Sequence, residues 1–323
     1  MNPIPLLLAA ALALTPFAAG ALEPVPAVPS KIASEATMLA ATRAGERIVA
    51  VGDHGVVLLS DDNGAGFRQA GAVPLSSPLT AVSFINAQTG WAVGHWGSIL
   101  LSEDGGENWR IQRLTPHDDR PLFAVHFFDQ RDGVAVGLWS QVLITRDGGR
   151  SWQEQSLPPP PGARRADLNL MSLFTDAQGR LYAAAESGKV LRSADRGLTW
   201  RYLDTGYSGS FWTGAVLADG RLLVGGQRGT LMRGSADGQA WQTVELGSKS
   251  SITGIAVRGN RVDVIGLDGL LARSLDGGRS FQLDTRADGI GLTALQADGA
   301  GLLLFSRRGV LPRSEISTAA SVP

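Results

Sequence analysis

Short apolar runs alternate along nearly the whole chain with turns rich in Gly, Asp, Ser and Asn. Residues 79–84, 91–93, 98–102 and 109–113 are examples of such runs, and no helical period competes with them. Short runs bounded by turn-forming residues are typical of strands joined as hairpins. The pattern therefore predicts an all-β fold of short antiparallel strands.

One phrase recurs along the chain. It is most regular in residues 91–109 and returns in residues 49–67, 134–152, 182–200, 223–241 and 262–281, with a truncated copy in residues 302–314. The copies align on one turn position, which is occupied by Gly55, Gly97, Ser140, Gly188, Gly229, Gly269 and Gly309. Each copy contains four strands, and this spacing is typical of a propeller blade. A lone four-stranded sheet exposes both faces, so we predict a closed seven-bladed β-propeller of four-stranded antiparallel blades.

The repeat leaves room for one domain after the N-terminal 21 residues. We predict a single propeller in residues 22–323, with blades at residues 33–70, 78–113, 121–156, 167–204, 211–245, 251–284 and 290–323. The seventh copy is short, so its fourth strand must come from residues 316–322 or from the N-terminal side. We favour the N-terminal segment, residues 23–32, as the strand that closes the last blade.

The second turn of each copy combines a hydroxyl, an Asp, a Gly and an aromatic residue, as in the Asp-box of sialidase-type repeats. The carboxylates of this turn are Asp62, Asp104, Asp147, Asp195 and Asp276. The hydroxyl and the carboxylate are expected to accept hydrogen bonds from the backbone amides of their own turn. In the fifth copy Gly234 and Ala236 replace the polar pair. We interpret these Asp residues as structural.

With these motifs the sequence resembles a known family, the photosystem II assembly and stability factors. The phrase GWAVG-x-x-G-x-I-L-x-S-x-D-G-G-x-x-W carries the resemblance, which spans residues 33–314 and is closest to exported relatives in non-photosynthetic bacteria. The resemblance implies a non-enzymatic propeller that holds a membrane-protein precursor during assembly, partly through a patch of arginines. That patch has no position-by-position match here, so it is not transferred.

The composition narrows the function classes. The chain has no Cys, which excludes a disulfide framework, a thiolate nucleophile and a Cys-ligated metal site. Its formal net charge of -1 argues against a protein that coats nucleic acid. We predict no cofactor, no nucleic-acid partner and a monomer.

The N-terminal 21 residues are typical of a secretory signal peptide. A run of Leu and Ala in residues 6–14 is broken by Pro16, and the small residues at 19–21 suit signal peptidase. No Lys or Arg precedes the run, and an uncleaved membrane anchor is the alternative. We predict an exported protein, periplasmic or secreted.

The most variable turns lie on one face of the predicted ring. If the strands of each blade are lettered A to D in chain order, the B–C turns and the connectors between blades emerge together, opposite the Asp-boxes. We call this side the B–C face. Its turns are at residues 53–54, 95–96, 138–139, 186–187, 227–228, 267–268 and 307–308. Variable turns on a repeating scaffold are typical of a binding surface.

We predict that this face binds a membrane or envelope protein through a set of cationic and aromatic side chains. The set consists of Arg164, Arg165, Arg228, Arg307, Arg308, Trp96, Trp139 and Trp212. Guanidinium groups can hold carboxylates bidentately. The alternative is a composition bias, because the chain has 26 Arg against 3 Lys.

Two other site hypotheses place chemistry on the same face. His54, His95 and His117 come from neighbouring blades and are weak candidates for a metal site, with Asp53 or Asp118. A carbohydrate-active propeller, sialidase-like or glycan-binding, is the alternative function. It would use Tyr207 as nucleophile beside Glu186, with arginines on the substrate carboxylate.

Overall fold

Seven antiparallel sheets surround a common axis in the computed structural model, which describes residues 24–298 and 301–311. The A strands of successive blades contact one another, and the A strand of the seventh blade contacts that of the first. The A strands therefore form an inner ring, and later strands lie progressively further out. This arrangement confirms the predicted seven-bladed, all-β propeller.

The strands of the blades follow chain order from the inside outwards. Blade one comprises β1 (Met38–Ala44), β2 (Arg47–Gly52), β3 (Val57–Ser60) and β4 (Arg68–Gln69). Blade two comprises β5 (Leu79–Phe84), β6 (Gly90–Gly94), β7 (Ile99–Ser102) and β8 (Arg110–Arg113). Blade three comprises β9 (Leu122–Phe127), β10 (Gly133–Gly137), β11 (Val142–Thr145) and β12 (Gln153–Glu154).

The remaining blades follow the same order. Blade four comprises β13 (Leu170–Thr175), β14 (Leu181–Ala185), β15 (Lys189–Ser193) and β16 (Arg201–Asp204). Blade five comprises β17 (Phe211–Val216), β18 (Leu222–Gly226), β19 (Leu231–Gly234) and β20 (Trp241–Thr243). Blade six comprises β21 (Ile252–Arg258), β22 (Arg261–Gly266), β23 (Leu270–Ser274) and β24 (Gln282–Thr285). Blade seven comprises β25 (Leu292–Asp298), β26 (Gly301–Ser306) and β27 (Gly309–Val310).

Helical structure within the described residues is limited to single 3₁₀ turns. They lie at Ala33–Glu35, Asp53–Gly55, His95–Gly97, Leu138–Ser140 and Gln227–Gly229. No helix in the described ranges is long and apolar enough to cross a membrane.

The inner ring is held by one apolar residue per blade and by hydroxyl groups between blades. The first residue of every A strand is fully buried: Met38, Leu79, Leu122, Leu170, Phe211, Ile252 and Leu292. The threonine that follows in three blades donates to the carbonyl oxygen of the first A-strand residue in the next blade. These bonds join Thr80 to Leu122, Thr253 to Leu292 and Thr293 to Met38. The bond from Thr293 joins the seventh blade to the first.

The N-terminal segment does not close blade seven as expected. The backbone amide of Ala27 donates to Val73 at 3.0 Å, and that of Ser30 donates to the side chain of Gln69 at 2.8 Å. These contacts lay residues 24–32 along the outer edge of blade one, so the prediction that they supply the fourth strand of blade seven is wrong. Blade seven has three strands within the described residues. The alternative strand, residues 316–322, and the predicted signal peptide lie outside them.

The Asp-box turns are held by side-chain acceptors. In blade two the Ser102 hydroxyl lies 2.9 Å from the Asp104 carboxylate, and Gly106 N donates to that hydroxyl at 2.8 Å. Asn108 N donates to Asp104 Oδ1 at 2.9 Å. The boxes of Asp62, Asp147, Asp195 and Asp276 repeat this pattern. Each carboxylate therefore satisfies backbone donors of its own turn.

The fifth box keeps its polar pair one residue later than the sequence alignment placed it. Ser235 Oγ lies 2.6 Å from Asp237 Oδ1 and accepts from Ala240 N at 3.0 Å. Gly234 occupies the aligned hydroxyl position, and a Cβ there would clash with the Trp241 ring. The aromatic residue takes the place of the missing side chain, and the hydrogen-bonding pair moves along the turn.

Acid unfolding should reveal the contribution of an Asp-box carboxylate to the free energy of unfolding. Hydrogen bonds from the hydroxyl and the amide of Ser151 lower the pKa of Asp147 to about 2. Because the unfolded state binds the proton at higher pH, this stabilisation is present above about pH 4 and is lost as the pH falls through about 2. In urea unfolding series, Asp147→Asn should therefore show a shallower loss of stability between these pH values than the parent. Parallel curves for the two proteins would contradict this role.

Candidate functional site

Two consecutive left-handed residues form the B–C turns. The second residue of the turn has a positive φ in six blades: His54, Trp96, Trp139, Ser187, Arg228 and Asp268. The next residue is also left-handed and is usually glycine. A Cβ at Gly188 would fall on the carbonyl oxygen of Tyr207, in the connector to the next blade. Glycine is therefore required where this connector crosses the turn of blade four.

Blade three has the exception, Ser140, and the longest connector. Ser140 has φ 57°, and its backbone amide donates to the carbonyl oxygen of Leu168 at 2.7 Å. Its hydroxyl accepts from Leu168 N at 3.0 Å. The connector here accommodates the extra atoms by bonding to them, so the serine is compatible with the same backbone conformation.

The B–C turn thus presents one variable side chain per blade from a constrained backbone. A left-handed conformation costs a residue other than glycine about 1 kcal/mol. Trp96, Trp139 and Arg228 nevertheless adopt it. Strained residues that the fold does not need are candidates for a role in binding.

The five predicted arginines all lie at the surface of the B–C face. Arg164 and Arg165 are exposed in the connector from blade three to blade four, and Arg228, Arg307 and Arg308 are exposed on two B–C turns. None of them forms an ion pair with another residue in the described ranges. No carboxylate of the described residues therefore neutralises their guanidinium groups.

Other arginines are neutralised within the protein. On the Asp-box side Arg196 pairs with Asp129 at 2.8 Å and with Asp132 at 2.6 Å. On the B–C face Arg120 pairs with Asp118 and Glu154. Arg150 and Arg192, away from the B–C face, also form no ion pair within the described residues, so composition bias remains the alternative explanation for the unpaired arginines.

Two acidic residues of the B–C turns have local hydrogen-bond partners. Glu186 accepts from the backbone amide of Asn169 at 2.9 Å and from its side chain at 3.0 Å. The Asp268 carboxylate accepts from the Ser250 hydroxyl at 3.1 Å. These carboxylates are bound to their own connectors, and the arginines are not.

Apolar surface accompanies the cations. Trp139 is 59% exposed, and Val25, Val28 and Ile32 of the N-terminal segment are also exposed. Val25 and Trp96 line a cleft of about 260 Å³, in which the segment lies against the connector to blade two. The face therefore offers hydrophobic contacts as well as charge.

The inner ring contains one predicted residue, Trp212, and two residues that sequence reasoning missed. Trp212 lies inside β17 and not in a loop, because the strand begins at Phe211. It is half-buried as the second residue of its A strand, where blades three and four carry Phe123 and Met171. A repeat alignment could have found these positions, because blades two, six and seven have Thr at the same place and blade one has Leu39.

The two alternative sites are not assembled. His95 Nδ1 lies 3.5 Å from Asp119, and the described residues contain no cluster of three or more metal-ligating side chains. His54 and His117 are thus not brought together with His95 as a site. The Tyr207 hydroxyl is 3.5 Å from the carbonyl oxygen of Gln227, and Glu186 is bound to Asn169. These contacts do not form a nucleophile and base pair.

Comparison with known proteins confirms the resemblance drawn from the sequence. Residues 69–163 match the family model described as Photosynthesis system II assembly factor YCF48. The solved structure titled "YCF48 bound to D1 peptide" is 19% identical, with a TM-score of 0.71, over 88% of this chain and 94% of that one. YCF48 from Cyanidioschyzon merolae is 19% identical, with a TM-score of 0.70, over 86% and 94%. No curated protein matches the chain significantly.

Replacing Trp139 should show that its side chain is not needed for the stability of the fold. Trp139→Gly removes an exposed side chain and relieves a left-handed residue, so we expect the free energy of unfolding to change by less than about 1 kcal/mol. Trp109→Ala is the contrast, because Trp109 is buried and its loss should cost about 3–5 kcal/mol. Urea unfolding measures both values. A large destabilisation by Trp139→Gly would assign Trp139 to the fold.

Proposed function

We propose that the protein is a non-enzymatic propeller that binds an extended, carboxylate-bearing segment of a membrane or envelope protein on its B–C face. One observation carries the proposal: Arg164, Arg165, Arg228, Arg307 and Arg308 are exposed on that face and unpaired within the described residues. Surface arginines with no internal counter-ion are suited to planar, bidentate recognition of carboxylates.

The rest of the face suits a peptide. Charge alone would attract any anion, whereas Trp139, Trp96 and the exposed N-terminal segment supply apolar contacts beside it. Aromatic and arginine side chains together are typical of the residues that dominate protein interfaces. The solved YCF48 structure was determined with a D1 peptide bound, and we infer the same class of ligand, a protein segment, for this chain.

We also propose that the protein is exported and acts in the periplasm or beyond. The apolar run of residues 6–14 and the small residues at 19–21 support this proposal. Sequencing the N-terminus of the mature protein would test it, with a start at Leu22 as the expected result. An unprocessed chain in the cytoplasmic fraction would contradict it.

Capture from envelope extracts tests the binding function. The protein is immobilised, and specific partners are identified by mass spectrometry and then titrated individually. Arg307→Glu/Arg308→Glu should weaken binding of the captured partner at least about tenfold, because the reversed charges repel carboxylates.

The matched control is Arg110→Glu/Arg150→Glu, an equal change of charge at exposed positions away from the B–C face. It should bind like the parent protein. Equal binding by both double variants would rule out the arginine contacts. A parent protein that captures no specific partner would overturn the proposed function itself.

A further inference from the structure

A second cationic site lies near the Asp-box turn of blade five, away from the B–C face. A cleft of about 200 Å³ opens there, and its lining includes Arg221, Arg233, Ser235 and Gln242. None of these residues belongs to the arginine set of the proposed function.

The strand pairing places these side chains on one face of the blade. Arg233 pairs with Gln242 and with Leu223 across neighbouring strands, so all three project to the same side of the sheet. Leu223 belongs to the hydrophobic cluster between blades five and six. Arg221 and Ser235 lie two residues from Leu223 and Arg233 respectively and continue the same face. The one-residue displacement of the fifth box therefore brings the Ser235 hydroxyl beside the arginines.

Arg233 is buried, and one of its N–H groups has no hydrogen-bond partner. Its side chain is 4% exposed, and its Nη2 donates to Asp219 at 2.6 Å. Its Nε is buried and has no hydrogen-bond partner. A guanidinium group has five N–H donors, and burying them without acceptors is costly. This geometry leaves room for a second acceptor beside Asp219.

In blade six the arginine at the same strand position has an acceptor for its Nε–H. Arg273 occupies the equivalent place in β23, and the residue opposite it in β22 is Asp263. Arg273 Nε donates to that fully buried carboxylate at 2.9 Å. In blade five the residue opposite Arg233 is Leu223, so the cross-strand carboxylate is missing. A bound anion would accept from Arg233 Nε, as Asp263 accepts from Arg273 Nε in blade six.

The charges around the cleft leave it receptive to an anion. Arg221 is 3.9 Å from Asp219 and is about half exposed, so it can turn towards a ligand. Asp219 is shared between Arg221 and Arg233. The Asp237 carboxylate faces its own turn, where it accepts from Ser235 Oγ and Gln239 N. Two guanidinium groups thus share one carboxylate.

We propose that this cleft is an oxyanion-binding site, in which Arg233 and Arg221 hold a carboxylate or a phosphate group and Gln242 donates a further hydrogen bond. The ligand chemistry is a small oxyanion, either free or carried on a larger molecule. The site is independent of partner binding on the B–C face.

Isothermal titration with inorganic phosphate, and separately with acetate, tests the site at constant ionic strength. At least one of the two anions should bind with one site per chain. Arg233→Met keeps a buried side chain of similar length and should weaken binding at least about tenfold. Arg221→Gln, at an exposed position that does not endanger folding, should weaken it about threefold.

Arg273→Met is the matched control, because Arg273 Nε already has an acceptor in Asp263. It should bind the anion like the parent protein. If Arg233→Met fails to fold, the Arg221→Gln titration and the NMR shift of the Arg233 Nε–H resonance on adding anion decide the question. Absence of binding by both anions, or equal binding by the parent, Arg221→Gln and a folded Arg233→Met, would overturn the proposal.

Discussion

The B–C turn has a left-handed backbone and packs against the connector between blades. These two features decide which residues of the turn can carry side chains on the B–C face. Gly188 has no room for a side chain because the carbonyl oxygen of Tyr207 occupies its place. The residue before the glycine is left-handed as well, and it points a variable side chain outwards from the same backbone. The fold thus restricts the glycine of the turn, whereas the side chain of the residue before it can vary and can contact a partner. Trp139 and Arg228 take that position at an energetic cost, which is reasonable if a partner uses them.

Much of the fold could be predicted because it is specified locally. Each blade repeats the same strand lengths and turn residues, and the Asp-box bonds join residues that are two to four positions apart. Such contacts leave a direct trace in the sequence. The ring itself follows from burial, since each blade must cover the faces of its neighbours. The number of blades and the positions of the turns could therefore be predicted from the local sequence pattern alone.

The features that could not be predicted depend on contacts between distant parts of the chain. The N-terminal segment packs on blade one because Val73 and Gln69 offer acceptors there, and nothing in its own sequence indicates them. The Asp-box of blade five is displaced by one residue because the Trp241 ring packs against Gly234. The exposed arginines were identified in the sequence, but their lack of ion pairs within the described residues depends on where the carboxylates of those residues lie. The oxyanion cleft likewise arises from Leu223 standing opposite Arg233.

We expect partners to bind the B–C face of the ring and to leave the Asp-box turns free. Hydrogen–deuterium exchange of the full protein, alone and saturated with a captured partner, tests this most directly. Protection should appear in the B–C turns around Trp139, Arg228 and Arg307 and in the connector that carries Arg164. The Asp-box turns, such as that of Asp147, should exchange equally in both samples. Protection confined to the Asp-box turns, with unchanged exchange on the B–C face, would contradict the account.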